Sequence, residues 1–391
     1  MANQFGFVSE DTYAEKMDTQ NMFLAAILDA QGGAVKPTSW AQVQTLVRAG
    51  LAGKVFSVAD QMTCQRGSKT LTWDVIGIDH DTPADKQFDH TLTLQLHDCL
   101  QTLQYDREEA FFFAENGLAA GTYHVTFGIN WGSNVVSGKS YQFTLTKPVP
   151  AGGQLVGFYR APDTAPSTWN VASYENSTST TAIETVAVTE GTGGTALINS
   201  WTAAINGDVN SLHRAAYGSN NWVESAARQF LNSGKDAGSV WKPQTKWDRP
   251  PSWAANTAGF LKDMDADFLA VIGKTIKVTT QNTVCEDGSA MTTEDKFFFL
   301  SRSEVFCGAE RSQVDEGAPY AYYSDYSDYT SPNSGADSNR VKYLNGSAQW
   351  WWLRTPFAGT GGYVRGVSTP GGLGNGSAHG SYGVAPACNV I

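Results

Sequence analysis

The sequence is poor in the features that mark an enzyme, a nucleic-acid binder or a membrane protein. Cysteine is scarce: Cys64, Cys99, Cys285, Cys307 and Cys388 form an odd set with no CxxC spacing. Neither a disulfide framework nor a zinc site is expected from them, and buried free thiols are. No run of Lys or Arg offsets the formal net charge of −11. That balance repels a phosphate backbone and argues against nucleic acid as a partner. No apolar run approaches the length of a bilayer span, and MANQFGFVSEDTYAEK lacks a basic segment followed by an apolar core. Synthesis in the cytosol without membrane insertion is the expectation. GxSxG, HExxH, a phosphate loop and a dinucleotide fingerprint are also missing, and the late GLGNGS opens no helix. No catalytic residue, resident metal or cofactor is therefore expected.

What is present is an aromatic, well-packed chain, with 41% hydrophobic and 12% aromatic residues, which excludes global disorder. At 391 residues it exceeds the size of one typical core, so more than one domain is expected. Residues 10–30 and PTSWAQVQTLVRAG carry helical periodicity, the second with Thr38 or Ser39 as N-cap and Gly50 at its end. From Val55 the period becomes two, in KVFSVADQMTC, LTWDVIGID and HTLTLQLHD, which read as strands with one buried face. His80, Asp81, Asp85, Asp89, His90, His97 and Asp98 are dense enough to consider a metal, but His90 and His97 fall on opposite faces of one strand. Turn and strand-end roles suit them better. More strands follow to about residue 150, with Asn116-Gly117 and Gly132-Ser133 as turns.

YGSNNWVESAARQFLNSG predicts a helix capped by Asn220 or Asn221, with Glu224 completing a capping box. FFFL reads as a short buried strand, and the acidic tyrosine loop around SDYSDYTSPNSGAD offers carboxylates that a calcium ion would accept. The chain ends in WWWLRTPFAGTGGYVRGVSTPGGLGNGSAHGSYGVAPACNVI. Ten of its 29 residues from Thr355 to Gly383 are Gly, yet the stretch also carries Phe357, Tyr363, Arg365, His379 and Tyr382. A plain linker would not.

In YGSNNWVESAARQFLNS, FFFLSRSEVF, Glu316-Gly317 and WWWLRTP…GVAPACNVI the chain resembles the C-type-lectin-like variable proteins of diversity-generating retroelements, in a branch found in gut phages and prophages. KVFSVADQ, LTWDVIGIDHDTPAD and HTLTLQLHDCL extend the resemblance over most of the chain. It implies adenine mutagenesis of C-terminal codons, mostly AAC or AAT, which cannot yield Lys, Glu, Gln, Met or Trp. None of those five residues occurs from Thr355 to Gly383. The diversified, ligand-binding positions it implies are Phe357, Thr360, Gly362, Tyr363, Gly366, Ser368, Gly374, Asn375, Gly376, Ser377, His379, Gly380 and Tyr382. Trp351, Trp352 and Arg354 would be fixed scaffold, with Leu353, Pro356, Val384 and Pro386. The chain lacks the Glu-Pro-Asn or Gln-Pro-Asp loop of calcium-dependent lectins, so calcium-borne sugar binding is not implied. Formylglycine-generating enzymes use a cysteine pair where Cys388 stands alone.

The resulting expectation is an α+β chain. Residues 1–53 form an N-terminal helical segment; residues 54–106 and 206–391 form a C-type-lectin-like (formylglycine-generating-enzyme-like) domain with its variable region at 355–383; residues 107–205 form an inserted β-rich domain. By resemblance the protein is a receptor-recognition component of a phage or prophage, on the virion tail or capsid surface. Its partners would be a host cell-surface receptor and other virion proteins, in a possible homotrimer. A virion structural or decoration protein without a variable role, and a formylglycine-generating-enzyme-like enzyme, are the alternatives.

Overall fold

The computed structural model describes residues 37–158, 165–323 and 338–391, together with Ile27. The expected helix over 10–30 and the SDYSDYTSPNSGAD loop lie outside the described residues, apart from Ile27. Trp40–Arg48 forms the second helix: Ser39 caps it by accepting from Gln42 N, and Trp40, Val43 and Val47 face inward. Gly50 follows with φ +67°, the left-handed conformation that ends a helix without a Cβ clash.

The expectation of an α+β, C-type-lectin-like domain with N-terminal helices is overturned. Among the described residues the protein is β-rich, 35% strand against 12% helix, with several sheets and a half-barrel. Helix-like stretches shorten for identifiable reasons. In YGSNNWVESAARQFLNSG, Tyr217 ends the preceding helix and only Ala226–Leu231 forms a new one, with Ser225 as its N-cap, not Asn220 or Asn221. The capping box fails because the Glu224 carboxylate is taken by Arg214, at 2.5 Å, and by Ser219 Oγ, at 2.7 Å. A tertiary ion pair has outcompeted a local cap.

The central sheet runs Gln61–Arg66, Lys69–Ile78, Leu92–Leu96, Ala387–Val390 and Ile272–Gly273, with Phe297–Phe298 also pairing with Ala387–Val390. The C-terminal strand thus lies antiparallel beside an early one, Leu92 opposite Val390 and Leu94 opposite Cys388. Leu92–Leu96 is buried on both faces, not one. Its polar residues are satisfied inside: Thr93 Oγ1 donates to Asn389 Oδ1 at 2.8 Å, and Gln95 Oε1 accepts from the Tyr323 hydroxyl. Paired in this way, buried polar groups are tolerated on a second buried face.

Residues between 107 and 205 build two four-stranded sheets. One joins Ala182–Ala187, Asn170–Tyr174, Gly153–Val156 and Phe112–Ala114; the other joins Thr189–Glu190, Ser140–Leu145, Gly121–Phe127 and Thr195–Trp201. Their shared core is aromatic, with Trp201 stacked on Phe127 at 5.8 Å and Trp169 edge-on to it at 5.9 Å. This core continues into Leu212–Tyr217, which carries it up to the terminal sheet.

Candidate functional site

The glycine-rich stretch is not an irregular loop. Trp351–Pro356, Tyr363–Val367, Leu373–Ser377 and Ser381–Gly383 are strands of one sheet, completed at its edge by Thr102–Gln104. All thirteen positions implied as diversified fall on this sheet or its turns. Phe357, Thr360 and Gly362 occupy the turn after Trp351–Pro356, Ser368 the next turn, and His379 and Gly380 the tight turn before Tyr382.

Register divides them into two kinds. Tyr363 pairs with Ser377, Arg365 with Asn375, Val364 with Gly376, and Gly366 with Gly374. Cross-strand partners share a face and successive residues alternate. Tyr363, Arg365, Asn375 and Ser377 therefore project together, while Val364, Gly366, Gly374 and Gly376 lie on the reverse. Asn375 is exposed and the other three of the first set are half-buried.

On the reverse, glycine makes room for rings. A Cβ on Gly374 would come within 2.1 Å of Trp350 Cη2, and one on Gly376 within 2.2 Å of Tyr382 Cε2. Tyr382 in turn packs edge-on against Trp352 at 4.6 Å. Gly362 is confined by less movable atoms, because a Cβ there meets Tyr217 Cβ at 2.8 Å and the His213 carbonyl oxygen at 2.9 Å. Gly366 would meet the Trp351 carbonyl oxygen at 2.8 Å. Backbone atoms cannot swing aside as a side chain can, so Gly362 and Gly366 have the least room to vary.

The turn at 357–363 is held from beneath. Asn220 Nδ2 donates to the carbonyls of Thr360 and Tyr363, both at 2.8 Å, and lies 3.4 Å from that of Phe357. Its Oδ1 accepts from Asn282 Nδ2 at 2.9 Å, which fixes the amide's orientation. Gly361 N donates to His213 Nδ1 at 3.2 Å. Burial pushes the His213 imidazole down to about 4, so it is neutral and able to accept. Glu310 closes the other side: it accepts from Ala358 N at 3.0 Å and pairs with Arg302 at 2.8 Å and Arg365 at 2.6 Å. Burial opposes the Glu310 carboxylate, but Arg365, Arg302 and the Ala358 N–H hold its pKa below the ordinary glutamate value. Arg365 also lies 4.4 Å over the Phe357 ring. Tyr217 links this face to the sheets of residues 107–205, touching Tyr363 at 4.9 Å, His379 at 5.6 Å and Trp131 at 5.5 Å.

Deeper, Trp351 and Trp352 are fully buried, their indole N–H groups donating to the carbonyls of Arg340 and Leu103. Arg354 is 0% exposed and forks onto Glu304, at 2.5 and 3.1 Å, while also donating to the Glu316 carbonyl at 2.6 Å. Lys277 bridges Glu304, at 2.9 Å, to Asp81, at 2.5 Å, and Tyr320 caps Asp81 at 2.8 Å. Burial disfavours the Glu304 carboxylate, yet Arg354 and Lys277 hold its pKa below the ordinary value.

Glu316 is different. Its oxygens accept from Thr280 N and Thr355 Oγ1, and burial pushes it up to about 7 from an ordinary 4.5. A raised folded pKa contributes stability that is complete below pH 4.5 and lost as pH rises through about 7. Unfolding free energy is expected to fall across that window by roughly 3 kcal/mol from this group, and Glu316→Gln to flatten the slope. Chemical denaturation of both proteins at several pH values measures it.

The early acidic and histidine residues serve other ends. His90 pairs with Asp79 at 3.1 Å and His97 with Asp74 at 2.9 Å, while Asp81 turns inward to Lys277. Among the described residues no three His, Cys, Asp or Glu side chains are arranged to hold a metal ion. Asn220, Glu304 and Glu310 escaped the sequence reading as holders of the site. Asn220 stood out only as a cap, and nothing local signals a partner more than a hundred residues away.

Residues 193–391, just over half of the chain, match a family model described as a domain of unknown function, DUF6273. The matched region contains the whole glycine-rich sheet apart from its edge strand Thr102–Gln104. No curated protein and no solved structure matches the chain.

Proposed function

We propose that this chain, which belongs to the DUF6273 family, is a ligand-recognition protein whose binding face is the outward side of the terminal sheet and its first turn. The face consists of Phe357, Tyr363, Arg365, Asn375 and Ser377, with His379 at its edge. The observation that carries the reading is the contrast around residues 357–363. Their backbone is tied by Asn220, His213 and Glu310, while the neighbouring side chains stay at least partly open to solvent. A fixed backbone under accessible aromatic and polar groups supplies contacts without the entropy loss of ordering a loop.

The same contrast suits a surface whose side chains are exchanged between copies. The absence of Lys, Glu, Gln, Met and Trp from Thr355 to Gly383 supports diversification by adenine mutagenesis. The setting that fits is the surface of a phage or prophage virion, where repetition raises a modest single-site affinity by avidity and the ligand is a receptor on the host cell.

Sequencing sibling copies of the gene tests the diversification. Substitutions are expected at adenine positions of codons within 355–383, concentrated on the outward residues and rare at Gly362 and Gly366. Substitutions spread evenly along the gene, or siblings identical in this region, would reject it.

A further inference from the structure

His80 stands where the loop after Lys69–Ile78 meets residues 316–320, a stretch without helix or strand. Its imidazole stacks on the Tyr320 ring, with centroids 4.0 Å and planes 27° apart. Both ring nitrogens face oxygen acceptors. Nε2 lies 3.3 Å from the Pro319 carbonyl oxygen, and Nδ1 lies 3.5 Å from Asp81 Oδ1, an ion pair more than a hydrogen bond. A neutral imidazole has one N–H and can serve only one of the two. An imidazolium serves both, so the surroundings of this ring suit its charged form.

Asp81 supplies a fixed anion. Burial opposes its charge, but Lys277, His80 and Asn389 hold its pKa far below the ordinary carboxylate range. Lys277 Nζ donates to it at 2.5 Å, Asn389 Nδ2 at 2.8 Å and the Tyr320 hydroxyl at 2.8 Å. Burial keeps that hydroxyl protonated and able to donate. The other charged groups acting on the ring are Lys277, from Thr275–Thr280, and Glu304, which Lys277 joins at 2.9 Å. Asp79, the residue before His80, is paired with His90. Burial opposes a charge on His80 and Lys277 repels it, yet Asp81 and Glu304 prevail and raise its pKa above the ordinary 6.5. The side chain is 18% exposed, which gives the proton a path to solvent.

Residues 316–320 carry the contact onward to the terminal sheet. The Glu316 carbonyl accepts from Arg354 Nη2 at 2.6 Å and its carboxyl from Thr355 Oγ1 at 3.0 Å, both in Trp351–Pro356. At the other end Tyr320 N donates to the Glu304 carbonyl at 3.0 Å. We infer that His80 is a pH-operated latch, closed as the imidazolium, that holds residues 316–320 against the Asp81–Lys277 network beneath the terminal sheet. Loss of its proton turns one nitrogen lone pair toward an oxygen and removes a charge-assisted contact. Because the folded pKa is raised, the contribution is complete below pH 6.5 and lost as pH rises through the higher folded value. The stretch then opens more often in alkaline buffer, whether or not the outward face of the sheet holds a ligand.

NMR titration of the His80 imidazole in the full-length protein, from about pH 5 to about pH 9, reads the latch directly. A midpoint above 6.5 is expected, and one at or below 6.5 would overturn it. Hydrogen exchange at the Tyr320 amide, taken as a protection factor to remove the intrinsic effect of pH, should fall about tenfold across that midpoint. Protection at Leu94 should hold. His80→Gln keeps a donor but no charge, so Tyr320 protection should stay at the low level throughout. Glu316 titrates in the same direction, which makes Glu316→Gln the control in which the fall at Tyr320 should persist. Protection independent of pH in the parent, or a fall that persists in His80→Gln, would also overturn the assignment.

Discussion

Arg354→Ala is expected to destabilise the protein by about 3–5 kcal/mol, the range for removing one partner of a buried ion pair. The guanidinium is completely buried and satisfies both Glu304 oxygens and the carbonyls of Phe299 and Glu316. Its removal leaves Glu304 with Lys277 and the Ser301 N–H as partners and uncaps the carbonyls of Val278, Phe299 and Glu316 on three segments distant in sequence. Arg354→Lys should recover little, because an ammonium is a point charge and cannot reproduce the fork. Urea unfolding of the variants beside the parent measures both. A loss below about 1 kcal/mol in Arg354→Ala, the range of a surface ion pair, would refute the role assigned to this network.

Asn220→Ala removes the amide that gathers the carbonyls of Thr360 and Tyr363 and approaches that of Phe357. It also leaves the Asn282 amide without the Asn220 oxygen as acceptor. The expected cost is roughly 2–3 kcal/mol, since buried polar groups lose their partners and gain none. Asn220→Asp should be worse than its size suggests. A carboxylate only accepts hydrogen bonds, and here it would face carbonyl oxygens. Hydrogen exchange resolves the local effect: the amides of Gly361, which donates to His213 Nδ1, and Tyr363, which donates to Thr360 Oγ1, should exchange faster while those of Leu92–Leu96 stay protected. Unchanged exchange at the turn would show that other contacts suffice to hold it.

These effects locate what the sequence could and could not disclose. Period-two patterning identified Lys69–Ile78 and Leu92–Leu96 but began its first strand too early, since Ala52–Val55 is helical and the strand starts at Gln61; Trp40, Val43 and Val47 marked the inward face of Trp40–Arg48. Both are local signals. The α+β expectation failed where long-range partners changed the outcome of local ones. Glu224 has the right spacing for a capping box, but a buried arginine ten residues earlier claims its carboxylate. Leu92–Leu96 alternates like a half-buried strand, yet its polar residues are sealed in by Asn389 and Tyr323, which lie far away in the chain.

The terminal stretch shows the same limit in another form. Its glycines are of two kinds in the folded sheet. Gly374 and Gly376 are gaps filled by the Trp350 and Tyr382 rings, and Gly362 and Gly366 press against backbone. Which glycines face rings depends on the pairing of Tyr363–Val367 with Leu373–Ser377. Composition carries no trace of that register. The absence of five residue types from this stretch, by contrast, is legible from sequence alone.

The central claim is that the outward side of the terminal sheet recognises a host surface. The most direct measurement titrates fluorescently labelled protein onto cells of the organism that carries the gene, for the parent and for a variant combining Phe357→Ala with Asn375→Ala. Asn375 is exposed and Phe357 half-buried, so the variant should unfold within about 1 kcal/mol of the parent. The account predicts saturable binding by the parent and a loss of at least about tenfold in the variant. Equal binding by the two proteins, or no binding by the parent, would contradict it.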